Sequence, residues 1–175
     1  ILKINLKTKF TQTTPYTKFR INTFNYMISQ KRKFKSNMVM AILFNHDSIF
    51  RNKKFLIPRI ISSLKKRKYR FLKEITNENI SADFSHAQDI CSGLIKILLS
   101  KENINNVILS SGKLTNINDI IKFVIRKKKI FVPFNIYSRK KNKGLIGNNL
   151  LAKKKFNWFP KKDIFDASLE IFKND

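Results

Sequence analysis

A short apolar run followed at once by polar residues is the feature that most constrains the fold of this chain. The run occupies residues 38–44, and residues 45–48 after it read Asn-His-Asp-Ser. A strand of a parallel sheet is buried on both faces and reads as an unbroken apolar run, and its carboxyl end is where such sheets bind ligands. The sequence therefore predicts a buried strand over residues 38–44 and a ligand site directly after it.

The other apolar positions alternate between helical spacing and short continuous runs. Apolar residues three and four apart predict helices, while short runs bounded by turn-forming residues predict strands. Strands that alternate with helices indicate an α/β chain. Asn116 is the predicted N-cap of one helix, and Ser85 with Gln88 forms the predicted capping box of another. The predicted helices cover the segment after Tyr16 and residues 57–64, 87–98, 117–124, 150–156 and 164–172; the predicted strands cover residues 38–44, 107–109 and 130–134.

The chain is strongly basic, with 37 Lys and Arg against 11 Asp and Glu and a net charge of +26. Such an excess is typical of proteins that bind nucleic acid or another anionic surface. The basic runs, however, follow apolar-periodic segments, where cations complement the carboxyl ends of helix dipoles. We therefore interpret them as solvated helix ends, keep a polyanion site as the alternative, and predict no specific nucleic-acid partner. The four runs are residues 31–33, 65–68, 127–129 and 153–155.

Nothing in the composition predicts a membrane protein. No apolar run approaches the roughly 20 residues that a membrane helix needs, and the N-terminus lacks the apolar stretch of a secretory signal. Cys91 is the only cysteine, so no internal disulfide can form, as expected in a reducing compartment. We predict a cytoplasmic chain without membrane insertion. Because the sequence begins at Ile1 rather than Met, a fragment or a processed product is expected.

Tyr16 and Arg20 form the first candidate catalytic pair. Residues four apart on a helix lie on one face, so the two side chains are expected to be neighbours. A cation beside a phenol favours the phenolate, which is the form that a general base needs. Taken alone, the pair also fits an amphipathic helix with one exposed Arg.

Two segments around this pair resemble one family, the GDP-mannose 4,6-dehydratases of the extended short-chain dehydrogenase/reductases. Residues 5–16, which end in Thr-Thr-Pro-Tyr, are similar to the family segment Asn-Glu-x-Thr-Pro-Phe-x-Pro-x-Ser-Pro-Tyr, which ends at the catalytic Tyr. His46 lies 30 residues after Tyr16 in Leu-Phe-Asn-His-Asp-Ser, where the family reads Leu-Phe-Asn-His-Glu-Ser at the same distance. Residues 82–89 and 147–158 resemble later family segments, so the likeness covers nearly the whole chain.

The resemblance implies the C-terminal portion of a Rossmann-like NAD(P)-binding fold plus the small substrate-binding domain, without the N-terminal dinucleotide half. Residues 1–50 would be the remnant of the Rossmann-like domain, with the Tyr16 helix and the strand after it. Residues 51–175 would be the substrate-binding part, with a returning Rossmann strand near residues 107–110.

The resemblance also implies roles for single residues. The enzyme would be a homo-oligomer that converts GDP-mannose to GDP-4-keto-6-deoxymannose with NADP, without a metal. Tyr16 would be the catalytic base, and Arg20 would replace the Lys that assists it and holds the nicotinamide ribose. His46 and Arg51 match family contacts to NADP, and Asn45 matches a contact to the nucleotide-sugar. Read without the family, the last three would be ordinary turn and loop residues.

Several departures from the family bear on catalysis. The planar guanidinium of Arg20 need not reproduce the contacts of a Lys ammonium. Ala82 stands where the family has an Arg that contacts the nucleotide, and Arg139 matches the family's Arg-Pro-x-Glu segment only out of register. The Gly-rich dinucleotide loop and the Thr and Glu of the catalytic set are expected upstream of this sequence.

Three other functions therefore stay open beside the dehydratase: a nucleotide-sugar epimerase or reductase, a degenerate homologue that binds nucleotide-sugars without catalysis, and a nucleic-acid binder. If this chain is the whole polypeptide, we predict that it does not catalyse the dehydration.

Overall fold

The computed structural model describes residues 2–137 and 143–175, so the predicted match at Arg139 lies outside the described residues. Short strands alternate with helices, which confirms the α/β prediction. The helices are α1 (Pro15–Phe34), α2 (Leu56–Lys65), α3 (Tyr69–Glu78), α4 (Ala87–Leu98), α5 (Ile117–Lys128), α6 (Leu150–Phe156) and α7 (Ile164–Asn174). The strands are β1 (Leu2–Ile4), β2 (Met40–Leu43), β3 (Asn45–Asp47), β4 (Ser81–Ala82), β5 (Phe84–His86), β6 (Asn106–Leu109), β7 (Thr115–Asn116) and β8 (Leu145–Gly147).

Among the described residues the strands form four pairs, of which three are parallel. Strand β2 pairs with β6, with Met40 opposite Asn106 and Leu43 opposite Leu109. Strand β3 pairs with β5 and β1 with β8, both parallel, while β4 and β7 are antiparallel. Because β2 and β6 run the same way, the polar residues after both strands lie at one edge of the sheet.

Two apolar clusters hold the chain together. The larger cluster is built by α2, α3, α5 and α7 and includes the fully buried Ile60 and Ile121. The smaller cluster lies against β6 and contains Val107, Leu109 and Trp158. The buried members of both clusters come from residues beyond 50, so most of the core belongs to the later part of the chain.

The basic runs lie where the sequence predicts. Lys31, Arg32 and Lys33 occupy the last turn of α1, and the other runs begin in or follow the last turns of α2, α5 and α6. No helix within the described ranges is long and apolar enough to cross a membrane.

Three local predictions are wrong. Strand β2 is only partly buried, and Leu43 is 39% exposed, because one edge of the strand has no neighbour among the described residues. Residues 130–134 form no strand, since their alternate side chains pack against the larger cluster without a partner strand and Pro133 removes a backbone donor. The N-cap of α4 is His86 rather than Ser85, because the His86 ring accepts a hydrogen bond from Gln88 N at 3.1 Å.

Candidate active site

Tyr16 lies in the first turn of α1, and its position is fixed by the cap of that helix. The Thr14 hydroxyl accepts a hydrogen bond from Thr17 N at 3.1 Å, and the Thr17 hydroxyl accepts one from Thr14 N at 2.9 Å. Pro15 is tolerated at the first helical position, where its missing N–H costs no helix hydrogen bond. The helix therefore starts at a defined residue and presents Tyr16 with 69% of its surface exposed.

Tyr16 and Arg20 line the same cleft. The Arg20 guanidinium carbon lies 6.0 Å from the centre of the Tyr16 ring, which confirms that the two side chains share a face of α1. The cleft has a volume of about 530 Å³ and lies between the first half of α1, the segment before it and strand β2. Its walls are largely apolar, with Phe24 and Ile42 among them. Within the described ranges Arg20 forms no salt bridge, so its charge faces a cleft that can accept an anion.

Asn45 lies beside a second, smaller pocket. This pocket has a volume of about 410 Å³ and shares Leu43 and Phe44 with the larger cleft. The Asn45 amide donates to the backbone oxygen of Asp83 at 3.3 Å, which orients the amide toward β5. Ala82, which also lines the pocket, leaves open the space that a longer side chain would fill.

The ring of His46 is oriented by a backbone carbonyl two residues earlier in the chain. Its Nδ1 lies 2.8 Å from the carbonyl oxygen of Phe44. A carbonyl oxygen only accepts hydrogen bonds, so Nδ1 carries the proton. In the neutral ring, Nε2 is then an acceptor for a hydroxyl or amide of a ligand.

Arg51 is held by an aromatic ring and a buried carboxylate. Its guanidinium carbon lies 3.7 Å from the centre of the Phe55 ring, and its Nε lies 4.0 Å from Asp47 Oδ1. The buried Nε has no hydrogen-bond partner among the described residues. Burial raises the pKa of the Asp47 carboxyl, and the charges of Arg51 and His46 oppose that rise only in part. The pair therefore leaves the outer nitrogens of Arg51 able to bind an anionic group.

Asp83, in the segment 82–89 that resembles the family, organises the region around the smaller pocket. Its fully buried carboxylate accepts hydrogen bonds from Ser111 N (2.9 Å), the Ser111 hydroxyl (2.6 Å), Gly112 N (3.0 Å) and Gly147 N (3.1 Å). Its backbone oxygen holds Asn45. Asp83 thereby joins the ends of β3, β6 and β8 around the smaller pocket.

The sequence analysis did not predict a second polar network. The Nε2 of buried His86 lies 3.0 Å from Glu170, whose other oxygen accepts from Lys162 at 2.9 Å. The hydrogen bond from Lys162 lowers the pKa of Glu170, and His86 adds to the effect. The partners are 84 residues apart in sequence, so no local pattern could have revealed them.

The structure thus brings the predicted residues together in two groups. Tyr16 and Arg20 line the cleft, while Asn45 lines the pocket that adjoins it. His46 and Arg51 line neither cavity and lie farther along, around Asp47.

Comparison with known proteins supports a family assignment. The family model for GDP-mannose 4,6 dehydratase matches residues 2–168. The chain belongs to this family. No curated protein matches it by sequence.

Solved structures resemble the chain in fold. RMD from Pseudomonas aeruginosa, complexed with NADPH, is 15% identical with a TM-score of 0.81 over 98% of this chain and 58% of its own. UDP-glucuronic acid 4-epimerase from Bacillus cereus, in complex with NAD, is 14% identical with a TM-score of 0.79 over 98% and 56%. dTDP-glucose 4,6-dehydratase from Bacillus anthracis, in complex with NAD, is 12% identical with a TM-score of 0.79 over 98% and 55%.

The match confirms the predicted fold class, the C-terminal part of a Rossmann-like fold of the short-chain dehydrogenase/reductase type. The chain spans a little over half the length of these structures. Both dehydratases and epimerases are among the proteins it resembles.

Proposed function

We propose that this chain is the C-terminal part of a nucleotide-sugar dehydratase that converts GDP-mannose to GDP-4-keto-6-deoxymannose with NADP. The observation that carries the proposal is the cleft that Tyr16 and Arg20 line together, directly beside the pocket of Asn45. Family membership supports the same reaction class. The division at residue 50, a cytoplasmic location and a homo-oligomer belong to the proposal.

In this proposal Tyr16 is the general base. Its phenolic oxygen takes the proton from the C4 hydroxyl of the sugar, and Arg20 lies beside it on the same face of α1. Arg20, His46 and Arg51 would hold NADP, which would supply reversible hydride transfer to the sugar when bound. The base that removes the C5 proton is a Glu in the family and would come from the part upstream of this sequence.

The other residues hold the ligands. The Asn45 amide hydrogen-bonds the nucleotide-sugar, and Arg20 also contacts the nicotinamide ribose. Arg51, stacked on Phe55 with 37% of its side chain exposed, fits an anionic group of the cofactor. The Nε2 of His46 fits a hydroxyl of the same ligand, because Nδ1 is already engaged.

Calorimetric titration with GDP-mannose, dTDP-glucose and UDP-glucuronic acid tests the substrate. We expect GDP-mannose to bind most tightly, and Asn45→Ala to weaken it about tenfold by removing one hydrogen bond. Asn174→Ala, at an exposed amide at the end of α7, is the matched control. Equal affinity for the three sugars, or an unchanged affinity in Asn45→Ala, would contradict the assignment.

Catalysis is tested separately. We expect this chain alone, mixed with NADP and GDP-mannose, to give no 4-keto-6-deoxy product, since the C5 base and the Gly-rich loop are not in its sequence. Product from the chain alone would refute that prediction.

A nucleotide-sugar epimerase is the second candidate, because the fold matches the UDP-glucuronic acid 4-epimerase as well as it matches the dTDP-glucose dehydratase. Product analysis on a polypeptide that includes the upstream half distinguishes them: a sugar inverted at C4 with its 6-hydroxyl retained identifies an epimerase.

A further inference from the structure

A pocket beside α2 and the start of α3 gathers five positive charges. It has a volume of about 550 Å³ and shares no lining residue with the cleft of Tyr16 or the pocket of Asn45. Its cations come from three segments, namely the loop before α2, the helix itself and the turn that leads into α3. These cations, which define the α2–α3 pocket, are Lys53, Lys54, Arg59, Lys66 and Lys68.

The α2–α3 pocket differs from a row of lysines at a helix end. It is also lined by Ser62 and Ser63, which are 9% and 5% exposed and carry hydroxyl groups that can donate hydrogen bonds. The Arg59 guanidinium carbon lies 4.3 Å from the centre of the Phe71 ring, so stacking restricts where this cation points. The pocket therefore combines positive charge with hydrogen-bond donors in defined places.

The Asp175 carboxylate shows that an anion is accepted at this place. It forms an ion pair with Lys53, and the Asp175 side chain is only 2% exposed. The hydrogen bond from Lys53 lowers the pKa of Asp175, burial opposes this effect in part, and Ser62 and the charge of Lys66 support it. Three residues that line the pocket therefore surround one buried carboxylate.

One carboxylate does not balance five cations. Within the described part of the chain, the four cations other than Lys53 form no ion pair. Cations that are held near one another repel, so a ligand that brings several negative charges relieves more repulsion than a single carboxylate does. Phosphate groups joined in a short chain bring several charges and many acceptor oxygens in a small volume, which suits ammonium and guanidinium donors.

The pocket has no free platform for a nucleoside. Proteins commonly hold a base by stacking it on an aromatic face. Phe71 is the only aromatic residue among the described residues that line the pocket, and its ring already stacks with Arg59. Phe71 also packs against the larger apolar cluster. The lining therefore favours phosphate groups alone over a nucleotide.

We propose that the α2–α3 pocket binds a short inorganic polyphosphate, of which pyrophosphate is the smallest, and that Asp175 competes with this ligand for Lys53. The phosphate oxygens accept hydrogen bonds from the lysine ammonium groups and from Arg59, while the Asp175 carboxylate leaves Lys53. No covalent bond is made or broken. The inference does not rest on the proposed function, because the pocket shares no lining residue with the candidate active site.

Calorimetric titration of the 175-residue chain with pyrophosphate and with inorganic phosphate tests the ligand. At an ionic strength of about 0.15 M, attraction that comes only from the net charge of +26 is largely screened. We expect pyrophosphate to bind about tenfold more tightly than phosphate, because it accepts additional charge-assisted hydrogen bonds. Equal affinities for the two anions, or no binding of pyrophosphate, overturn the proposal.

Lys66→Gln tests the place of binding. We expect this variant to bind pyrophosphate about tenfold more weakly, because it loses one charged donor. Lys73→Gln is the matched control, since Lys73 is exposed on α3 and does not line the pocket; its affinity should change less than about twofold. Circular dichroism shows that both variants are folded. Equal losses in the two variants would mean that general electrostatic attraction, rather than the pocket, holds the ligand.

A titration with GDP distinguishes free polyphosphate from the diphosphate of a nucleotide. We expect any affinity for GDP to be the same in Lys66→Gln as in the unsubstituted chain, because the candidate active site does not include Lys66. Binding of GDP that is tighter than that of pyrophosphate and is weakened by Lys66→Gln would assign the pocket to a nucleotide and overturn the proposed ligand.

Asp175→Asn tests the competition. The amide keeps the shape of the side chain but lacks the charge that pairs with Lys53. We expect Asp175→Asn to bind pyrophosphate about tenfold more tightly than the unsubstituted chain. Glu78→Gln removes the same charge from an exposed position outside the pocket and should change the affinity less than about twofold. If the two variants raise the affinity equally, Asp175 does not compete with the ligand, and the proposed exchange at Lys53 is wrong.

Discussion

At the scale of single residues, the buried carboxylate of Asp83 joins parts of the chain that are distant in sequence. It accepts hydrogen bonds from backbone groups 28 and 64 residues away.

Asp83→Asn is therefore expected to lower the free energy of unfolding by about 3 kcal/mol, because an amide cannot replace a buried carboxylate that accepts four hydrogen bonds. Ser111→Ala removes only the hydroxyl among these donors and should cost about 1 kcal/mol. Urea unfolding of both variants measures the difference. Equal losses would show that the carboxylate is not the centre of the network.

No local sequence pattern specifies the contacts of Asp83, so its importance follows only from the fold. The four-residue spacing of Tyr16 and Arg20, in contrast, was enough to place them on one face, because a helix fixes its own geometry.

The buried carboxyl of Asp47 predicts how the free energy of unfolding depends on pH. Burial raises the pKa of its carboxyl in the folded chain. At pH values between the pKa of the unfolded chain and that of the folded chain, folding is therefore accompanied by proton uptake. The free energy of unfolding of the wild type should fall as the pH rises through that window, and the loss should be complete above it. Asp47→Asn removes this loss, so the variant should be the more stable one at neutral pH. Its advantage should vanish below about pH 4, near the pKa of an unperturbed Asp.

Urea unfolding between acid and neutral pH measures this dependence. Glu78→Gln, which removes the same charge from an exposed position, controls for repulsion within a strongly basic chain. If the difference between Asp47→Asn and the wild type does not change with pH, the carboxyl is not buried as the structure has it.

At the scale of elements, long amphipathic helices were predictable and two- or three-residue strands were not. Helices α2, α4 and α5 have several apolar positions at helical spacing, and the structure places them within a few residues of the predicted bounds. Strands β3 and β5 have three residues each and exist because they pair with one another. Residues 130–134 show the opposite case. Their apolar residues alternate as in a strand, but none of the described strands pairs with them, so they do not form one.

Lys31 is the buried residue of helix α1 and ties the helix to the rest of the chain. Its ammonium donates to the carbonyl oxygens of Met38 and Ile104 at 2.7 and 2.6 Å. Lys31→Met keeps the apolar stem but leaves both oxygens without this donor, so we expect a loss of about 2 kcal/mol. Hydrogen exchange should rise along α1 and change little in α5. Lys33→Met, at an exposed position in the same turn, should leave exchange unchanged; equal effects would contradict the anchoring role.

At the scale of the whole molecule, burial is distributed very unevenly. Lys31 and Asp47 are the only residues that are buried among residues 2–50. The larger cluster is drawn wholly from residues 57–171. No sequence pattern indicates this imbalance, because apolar residues are plentiful on both sides of residue 50. Only the fold shows which of them find partners.

Because burial is so uneven, the predicted boundary at residue 50 can be tested by experiment. A polypeptide of residues 51–175 should melt cooperatively, because it keeps the larger cluster, and should lose only part of its stability through the exposure of β6. A polypeptide of residues 1–50 should show no cooperative transition, because burying so little apolar surface cannot offset the entropy of ordering the chain. Calorimetry of both pieces measures this. If residues 51–175 do not fold without β2, the boundary is wrong, and the β2–β6 ladder is part of the core rather than a joint between two parts.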